Sequence, residues 1–393
     1  MPQKNRMRFG TFMSPIHSAR ENPTLALHRD VETIVRLEEL GYDEAWIGEH
    51  HSTGWEFVAS PDMILSYAAA RTSRIRLGAG VASLPYHHPL NVVERFVLLD
   101  HLSHGRAILG VGPGALAYDA EAIGLDPADA RRRMEESLDV ILRLLDGERV
   151  TAKTDWFTLE RAALQLLPRD ELEVVVAGTV SPNGPKLAGT FGKSLLTMTA
   201  TTEAGFNVLG DHWNVVQEQS ALHGQVADRS SWRMVGPMYI AETEEQALAD
   251  VQRGLDQWCY YMSVVGGLPV LPKSAGQGNW AKGLVEAGFA VIGTPEQAID
   301  QISRLYDQSG GFGTVLVWAN DWAPQHKMLE SYELFAREVM PAFDGSTRTL
   351  IEAEEWAISR KAELDPAMHA ARAAARTQYE AERDARAVTG AAG

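Results

Sequence analysis

The chain has 393 residues, 45% hydrophobic and 22% charged, with a formal net charge of -16. That length supports one large domain or two modest ones, and the acidic balance, with no cluster of Lys and Arg, excludes a nucleic-acid partner, because phosphate backbones reward basic clusters. The single cysteine, Cys259, excludes an intrachain disulfide, and no stretch approaches the roughly 20 apolar residues of a membrane span.

The opening run Met1-Pro2-Gln3-Lys4-Asn5-Arg6 has no apolar stretch of signal-peptide length, so the expectation is a cytoplasmic protein. Short apolar runs then alternate with helix-period runs, the pattern of a parallel sheet with crossover helices. A first strand is predicted over Met7 to Met13, and a helix over Thr24 to Leu40 that Gly41 ends. Ala45 to Gly48 reads as a second strand. Ser60-Pro61 opens the next helix, with Ser at the cap and Pro in the first turn. Ile75 to Gly78 is a third strand and Pro89 to His101 a third helix. Ala107 to Val111 is a fourth strand, followed by a long helix from about Pro127 to Asp146.

The second half continues the alternation. Leu172 to Ala177 is a fifth strand, Pro182 to Phe191 a helix, and Ser194 to Met198 a sixth strand. Met234 to Ala241 is a seventh, with a helix to Trp258, and Thr314 to Trp318 the eighth, with a last helix over Pro324 to Met340. Eight strands in βα order predict a closed (β/α)₈ TIM barrel over residues 1–343, an open doubly wound sheet being the rival. Gly147 to Arg169 and Cys259 to Gly288 exceed a minimal barrel and read as inserted binding loops or lids. Residues 344–393 are rich in Ala and charge and read as a helical C-terminal extension, solvated and packing on the barrel or on a neighbouring subunit.

Active sites of such barrels sit at the C-terminal ends of the strands. After the second strand comes Glu49-His50-His51, two imidazoles and a carboxylate suited to acid–base chemistry near neutral pH. The same residues also read as a pair fixing a loop by hydrogen bonds. A shared metal ion is disfavoured, because adjacent strand residues point to opposite sides and no further His or Asp with ligand character stands at a strand end. The small residues of Gly78 to Ala82, and Gly112 after the fourth strand, let a flat ring approach the backbone, or simply pack tightly. Gly110-Val111-Gly112-Pro113-Gly114 is not a dinucleotide fingerprint. Gly178, Thr179, Ser181, Asn183 and Gly184 surround a helix start with Ser181 as cap and Pro182 as first residue. Such a start is an ordinary capped helix or a phosphate site. Phe12, His17, Trp55, Phe57 and Tyr86 are candidates to shape an apolar pocket, with plain core packing as the competing role.

Several segments together resemble the bacterial luciferase-like flavin monooxygenases over Met7 to Phe343. They are Gly48-Glu49-His50-His51, Ala59-Ser60-Pro61-Asp62, Arg74-Ile75-Arg76-Leu77-Gly78, Leu84-Pro85-Tyr86-His87-His88-Pro89, Leu98 to Arg106, Gly110 to Gly114 and Val291-Ile292-Gly293-Thr294-Pro295. Within that family the likeness is to limonene monooxygenase-like members, through Gly112-Pro113-Gly114, Lys153-Thr154-Asp155-Trp156-Phe157 and Ser181 to Pro185.

The resemblance implies reduced FMN and O₂ as co-substrates, a separate flavin reductase, and a homodimer. It implies oxygenation of a small apolar organic substrate through a C4a-(hydro)peroxyflavin. It makes His50 the catalytic residue beside the flavin, with Glu49 and His51 as neighbours. It places Gly80, Val81 and Ala82 under the isoalloxazine ring, where the family often has a non-prolyl cis peptide. Pro113 stands where luciferase has a phosphate-binding arginine, which leaves the loop from Thr179 to Gly184 as the phosphate candidate. Competing readings are a deazaflavin-dependent oxidoreductase on the same fold, a non-catalytic flavin-binding protein, and a metal hydrolase using the His pair.

Overall fold

The structure, a computed structural model, describes residues 6–273, 275 and 279–390. Residues 1–5 of the N-terminal run and positions 274 and 276–278 of the second insertion lie outside the described residues. Eight parallel strands form the frame: β1 (Arg8–Met13), β2 (Glu44–Ile47), β3 (Arg76–Ala79), β4 (Ala107–Gly112), β5 (Glu173–Gly178), β6 (Ser194–Thr197), β7 (Arg233–Ile240) and β8 (Thr314–Ala319). Each pairs with the next, and β8 returns to β1 with Arg8 opposite Thr314, so the sheet is a closed (β/α)₈ barrel. Strands β4, β7 and β8 are buried along their whole length, as expected where helices cover the outer face.

Local chemistry sets the crossovers. Asn22 caps helix α1 (Pro23–Glu39), its side chain accepting from the N–H groups of Thr24 and Leu25. Gly41 leaves that helix at φ +90°, a conformation that side chains resist. Ser60 occupies the cap of α2 (Pro61–Ala69), but its hydroxyl donates to Asp62 and caps no backbone N–H.

Two rings fill the bore. A β-carbon at Gly78 or Gly110 would lie 2.4 or 2.8 Å from the Trp46 indole, and one at Gly80 would lie 2.4 Å from Phe12. Phe12, expected in the substrate pocket, is 1% exposed and belongs to this filling, because the missing side chain at Gly80 draws its ring inward. At the N-terminal end of the barrel, the opening residues of four strands form a buried ion cluster. Arg233 donates to both oxygens of Glu44 at 2.8 Å and to Glu173 at 2.8 Å, Arg76 pairs with Glu173, and Trp46 Nε1 donates to Glu44 at 2.9 Å.

Several elements were not legible in the sequence. The fourth crossover contains a short helix, α3 (Ala117–Ile123), ahead of a single 3₁₀ turn (Pro127–Asp129) and the helix Ala130–Leu145. The seventh crossover adds a strand, Val291–Gly293, that extends the sheet from β7. It also adds the helix Pro295–Ser309, begun by a Thr294/Gln297 capping box. The first insertion is an antiparallel hairpin of Val150–Lys153 and Thr158–Ala162. The second begins with a π-helical turn, Tyr261–Val265, and ends in the helix Trp280–Glu286.

The chain divides into compact units at residues 1–344 and 345–393. The second unit carries a single helix, Arg348–Gly390, with Pro366 inside it, and all side chains from Arg348 to Ala387 are exposed. Among the described residues no helix is long and apolar enough to cross a membrane.

Candidate active site

Strand β2 delivers Glu49-His50-His51 to the C-terminal mouth of the barrel, where His50 N–H donates to the Val58 carbonyl at 3.0 Å. Both nitrogens of the His50 ring face carboxylates. Nδ1 lies 2.8 Å from Asp119 Oδ2, and Nε2 lies 3.1 Å from Glu56 Oε2. Burial opposes a charge on His50, but Glu56 and Asp119 outweigh it and raise the imidazole above its ordinary value. Asp119 is firmly an anion. Burial would raise it, yet it takes donors from His50, Ser52 and the His51 N–H, and these hold it low.

His51, in the loop just past β2, meets a different carboxylate. Its Nε2 lies 2.9 Å from Glu49 Oε1, and His87 Nε2 lies 2.7 Å from the same oxygen. The Ser83 N–H donates to the second oxygen of Glu49 at 3.1 Å. Burial pushes the Glu49 carboxyl up, and these partners bring it below its ordinary value. The expectation that no further ligand-type side chain joins the pair is therefore corrected. The turn Leu84–Tyr86 folds back toward the end of β2 and brings His87 in. Glu49, His51 and His87 each place one ligand atom within 4.8 Å of the others, a donor set suited to a divalent transition metal. The same three groups also satisfy one another by hydrogen bonding.

The remaining candidates divide. Tyr86 stands edge-on to His51 at 5.7 Å between ring centres. Trp55 packs against Tyr260 and Tyr261 at 6.0 and 5.7 Å, so the second insertion supplies an aromatic wall. Phe57 contacts the His17 ring at 5.4 Å. His17 itself lines a small cleft with Asp30, Arg29 and Asp321. It is 3% exposed and joins Asp30 at 3.0 Å to Asp321 at 2.8 Å, clasping the loop after β1 to the loop after β8. Burial would lower its pKa, but the two aspartates push it up to about 10.

The Gly80-Val81 peptide bond is cis, as the resemblance implied. Gly112 lies against Val81, where a β-carbon would come within 2.6 Å of Val81 Cγ2. Gly80, Ala82 and Gly112 are thus buried, the faces of the two glycines being filled by the Phe12 ring and the Val81 side chain. Gly178 and Gly184 instead pack backbone on backbone. A β-carbon at Gly184 would lie 2.6 Å from Gly178 Cα, so their smallness serves helix–strand packing. Ser181 does not cap the helix that follows. That helix is Asn183–Phe191 with Pro182 at its N-cap position, and the Lys186 N–H reaches back to the Pro182 carbonyl at 2.9 Å. The Ser181 hydroxyl is thereby left for other use beside exposed Thr179 and half-buried Asn183. His212 Nε2 lies 3.1 Å from the Val180 carbonyl and steadies the loop. Thr199 Oγ1, just past β6, is buried without a hydrogen-bond partner. These hydroxyls fit a phosphate group.

Sequence reasoning missed Asp119, Glu56, Tyr261 and His87. Only His87 had a local signal, since it lies within Leu84 to Pro89. Asp119 rides on the undetected α3, and Tyr261 comes from the second insertion.

A model of the family described as luciferase-like monooxygenase matches residues 7–311. The chain is 47% identical to limonene 1,2-monooxygenase of Rhodococcus erythropolis, over 96% of this chain and 97% of that one. It is 43% identical to 4-hydroxyprotoasukamycin monooxygenase of Streptomyces nodosus subsp. asukaensis, over 89% of this chain and 96% of that one. In structure it is similar to the oxygenating constituent of 3,6-diketocamphane monooxygenase of Pseudomonas putida, a type II Baeyer–Villiger monooxygenase in complex with FMN. The TM-score is 0.72 at 23% identity, covering 86% of this chain and 98% of that one.

Proposed function

This chain belongs to the luciferase-like monooxygenases, and on that premise we propose that it is the oxygenase of a two-component system, cytoplasmic and homodimeric. It takes reduced FMN from a separate flavin reductase and uses O₂ to oxygenate a small apolar molecule, a terpene-like alkene, ketone or aldehyde. The observation that carries this reading is His50, an imidazole held between two carboxylates at the barrel mouth. Reduced FMN, when bound, supplies the electrons and activates the oxygen.

The chain's own residues do the rest. Gly80, Val81, Ala82 and Gly112 form the stretch against which a flat ring would lie. Thr179, Ser181 and Asn183 offer donors for the phosphate group, with the helix start behind them. His50 is favoured as a cation at the mouth, because its Nδ1 hydrogen-bonds to Asp119 and its Nε2 faces the Glu56 carboxylate. That geometry favours stabilising negative charge at the flavin edge over free exchange of a proton with bulk water. Glu49 and His51 support the loop that holds His50. Trp55, Tyr86 and the tyrosines of the second insertion give the mouth its apolar side, and the naming of the limonene-oxidising relative supports a terpene-like substrate.

The test is anaerobic titration with reduced FMN and with a reduced deazaflavin, followed by an air pulse in the presence of limonene and of a cyclic ketone. Binding of reduced FMN and oxygen incorporation from ¹⁸O₂ into either compound are expected. Binding of the deazaflavin alone, with alcohol–ketone interconversion, would replace this reading. Reduced FMN bound with no oxygenated product from a broad panel of apolar compounds would leave a flavin carrier.

A further inference from the structure

The Glu49 carboxylate is buried, and among the described residues no Arg or Lys pairs with it. Its two oxygens are used differently. Oε2 accepts the Ser83 N–H at 3.1 Å, which fixes the group from the backbone. Oε1 meets two imidazoles, His51 Nε2 at 2.9 Å and His87 Nε2 at 2.7 Å, with ring centres 6.1 Å apart. Two ligands held at about 2.0–2.1 Å from one ion, and about 90° apart, lie about 2.9 Å from each other. The two N···O edges therefore already have the length that coordination to a shared ion requires, and all three ligand atoms lie within 4.8 Å of one another.

Among the described residues one other cluster has this composition, His17, Glu21 and Asp321. There the Arg29 guanidinium donates to both carboxylates, so a cation is already built in. The Glu49 cluster has none. Its members come from two neighbouring segments, Glu49 and His51 from the loop after β2 and His87 from the end of the turn that follows β3. The His51 and His87 side chains are 20% and 19% exposed. A hydrated ion can reach them, and water can fill the positions that the protein leaves open.

We propose that Glu49, His51 and His87 bind one divalent transition-metal ion of the zinc class, in a site that pins the loop after β2 to the turn after β3. The site goes beyond the monooxygenase reading and stands whether or not that reading does. Imidazole nitrogens select zinc, cobalt and nickel, whereas magnesium and calcium take oxygen ligands. Binding forms two N–metal bonds and one O–metal bond and breaks the two hydrogen bonds on Oε1. Each neutral imidazole moves its Nε2 proton to Nδ1, so the rings lose no proton. The Ser83 N–H bond survives, because it uses the other oxygen. His50 is not a ligand, since Asp119 and Glu56 occupy its ring nitrogens.

The test uses full-length protein treated with a chelator, dialysed, and titrated with Zn²⁺ by calorimetry and with Co²⁺ by visible absorption. Binding of one equivalent is expected, with a rise of the thermal midpoint at saturating Zn²⁺. His87→Ala should weaken Zn²⁺ by about 100-fold or more, since even losing an outer hydrogen-bond partner of a ligand costs about 10–100-fold. His17→Gln, in the other cluster, should bind Zn²⁺ as the wild type does. In ¹⁵N-histidine-labelled wild type, Zn²⁺ should move the Nε2 resonances of two imidazoles, assigned by their loss in His51→Ala and His87→Ala. No binding of either ion, or undiminished binding in His87→Ala, would overturn the proposal. Should His87→Ala not fold, the wild-type spectrum decides on its own. Movement of no imidazole, or of His17 in place of His51, would then overturn it.

Discussion

Both ends of the barrel bury carboxylates, and they neutralise them with different cations. At the base, Glu44 and Glu173 meet the guanidinium groups of Arg233 and Arg76. At the mouth, Glu49, Glu56, Asp119 and Asp30 meet the imidazoles of His17, His50, His51 and His87, and the exposed Asp321 meets both His17 and the Arg29 guanidinium. A guanidinium stays charged at any pH the protein meets, whereas an imidazole titrates within the working range. The base is therefore a fixed plug and the mouth an adjustable one. Burial would raise Glu173, yet Arg233 and Arg76 hold it down to about 2. The same kind of burial acts on the mouth, where it is balanced mainly by imidazoles, which can lose their charge, with Arg29 at Asp321 the exception.

The largest expected effect breaks the base. Arg233→Ala strands the fully buried Glu44 carboxylate, while Glu173 keeps Arg76, and a loss of about 3–5 kcal/mol is expected from the thermal or urea midpoint. A change below 1 kcal/mol would mean that the base is not a plug, and the contrast with the mouth would fall. At the mouth, His50→Ala should keep the fold and the binding of reduced FMN. Coupled product formation should drop by about 100-fold or more, with peroxide released in its place. Unchanged coupling would take His50 out of the chemistry.

A smaller effect is expected across the mouth. Replacing Thr179 and Ser181 together by Ala should weaken FMN by at least about tenfold and riboflavin hardly at all, because even one hydrogen bond to a charged group is worth about 1.5–3 kcal/mol. Equal losses for both ligands would count against a phosphate role.

The smallest effect is a pH effect at the rim. The pKa of His17 is raised on folding, so its contribution to stability is complete below the ordinary imidazole value. That contribution fades as pH rises through about 10. Hydrogen exchange in the loops after β1 and β8 should accelerate over that alkaline window, while the base stays protected. His17→Gln should remove the pH dependence from those loops. Persistence of the dependence in that variant would assign it to another group.

The barrel was legible because its signals are local and repeated. Eight apolar runs, a glycine at the end of α1 and prolines at helix starts all act within a few residues of themselves. The mouth was legible only where its residues adjoin in sequence, as in Glu49-His50-His51. The partners of His50 lie 69 residues away at Asp119 and, through Glu56, 205 residues further along at Tyr261. Neither has a local pattern, because an aspartate on a seven-residue helix and a buried tyrosine look like ordinary surface and core. Ser181 shows the opposite error. Ser before Pro is a sound capping signal, but the first turn tightened by one residue and freed the hydroxyl. The base cluster was invisible for a simpler reason. Glu44, Arg76, Glu173 and Arg233 each open a strand, and only barrel closure brings them together.

Trp46 and Phe12 stand between these two ends. The glycines at 78, 80 and 110 leave them room, and their rings pack into the bore against β3 and β4. The indole turns its one polar atom down to Glu44 and presents hydrocarbon to the other side. A proton hops along hydroxyls, carboxyls and water, and a stack of aromatic carbon interrupts such a wire. The barrel is then a vessel sealed at its floor, and every proton drawn by the reaction must arrive and leave over the rim.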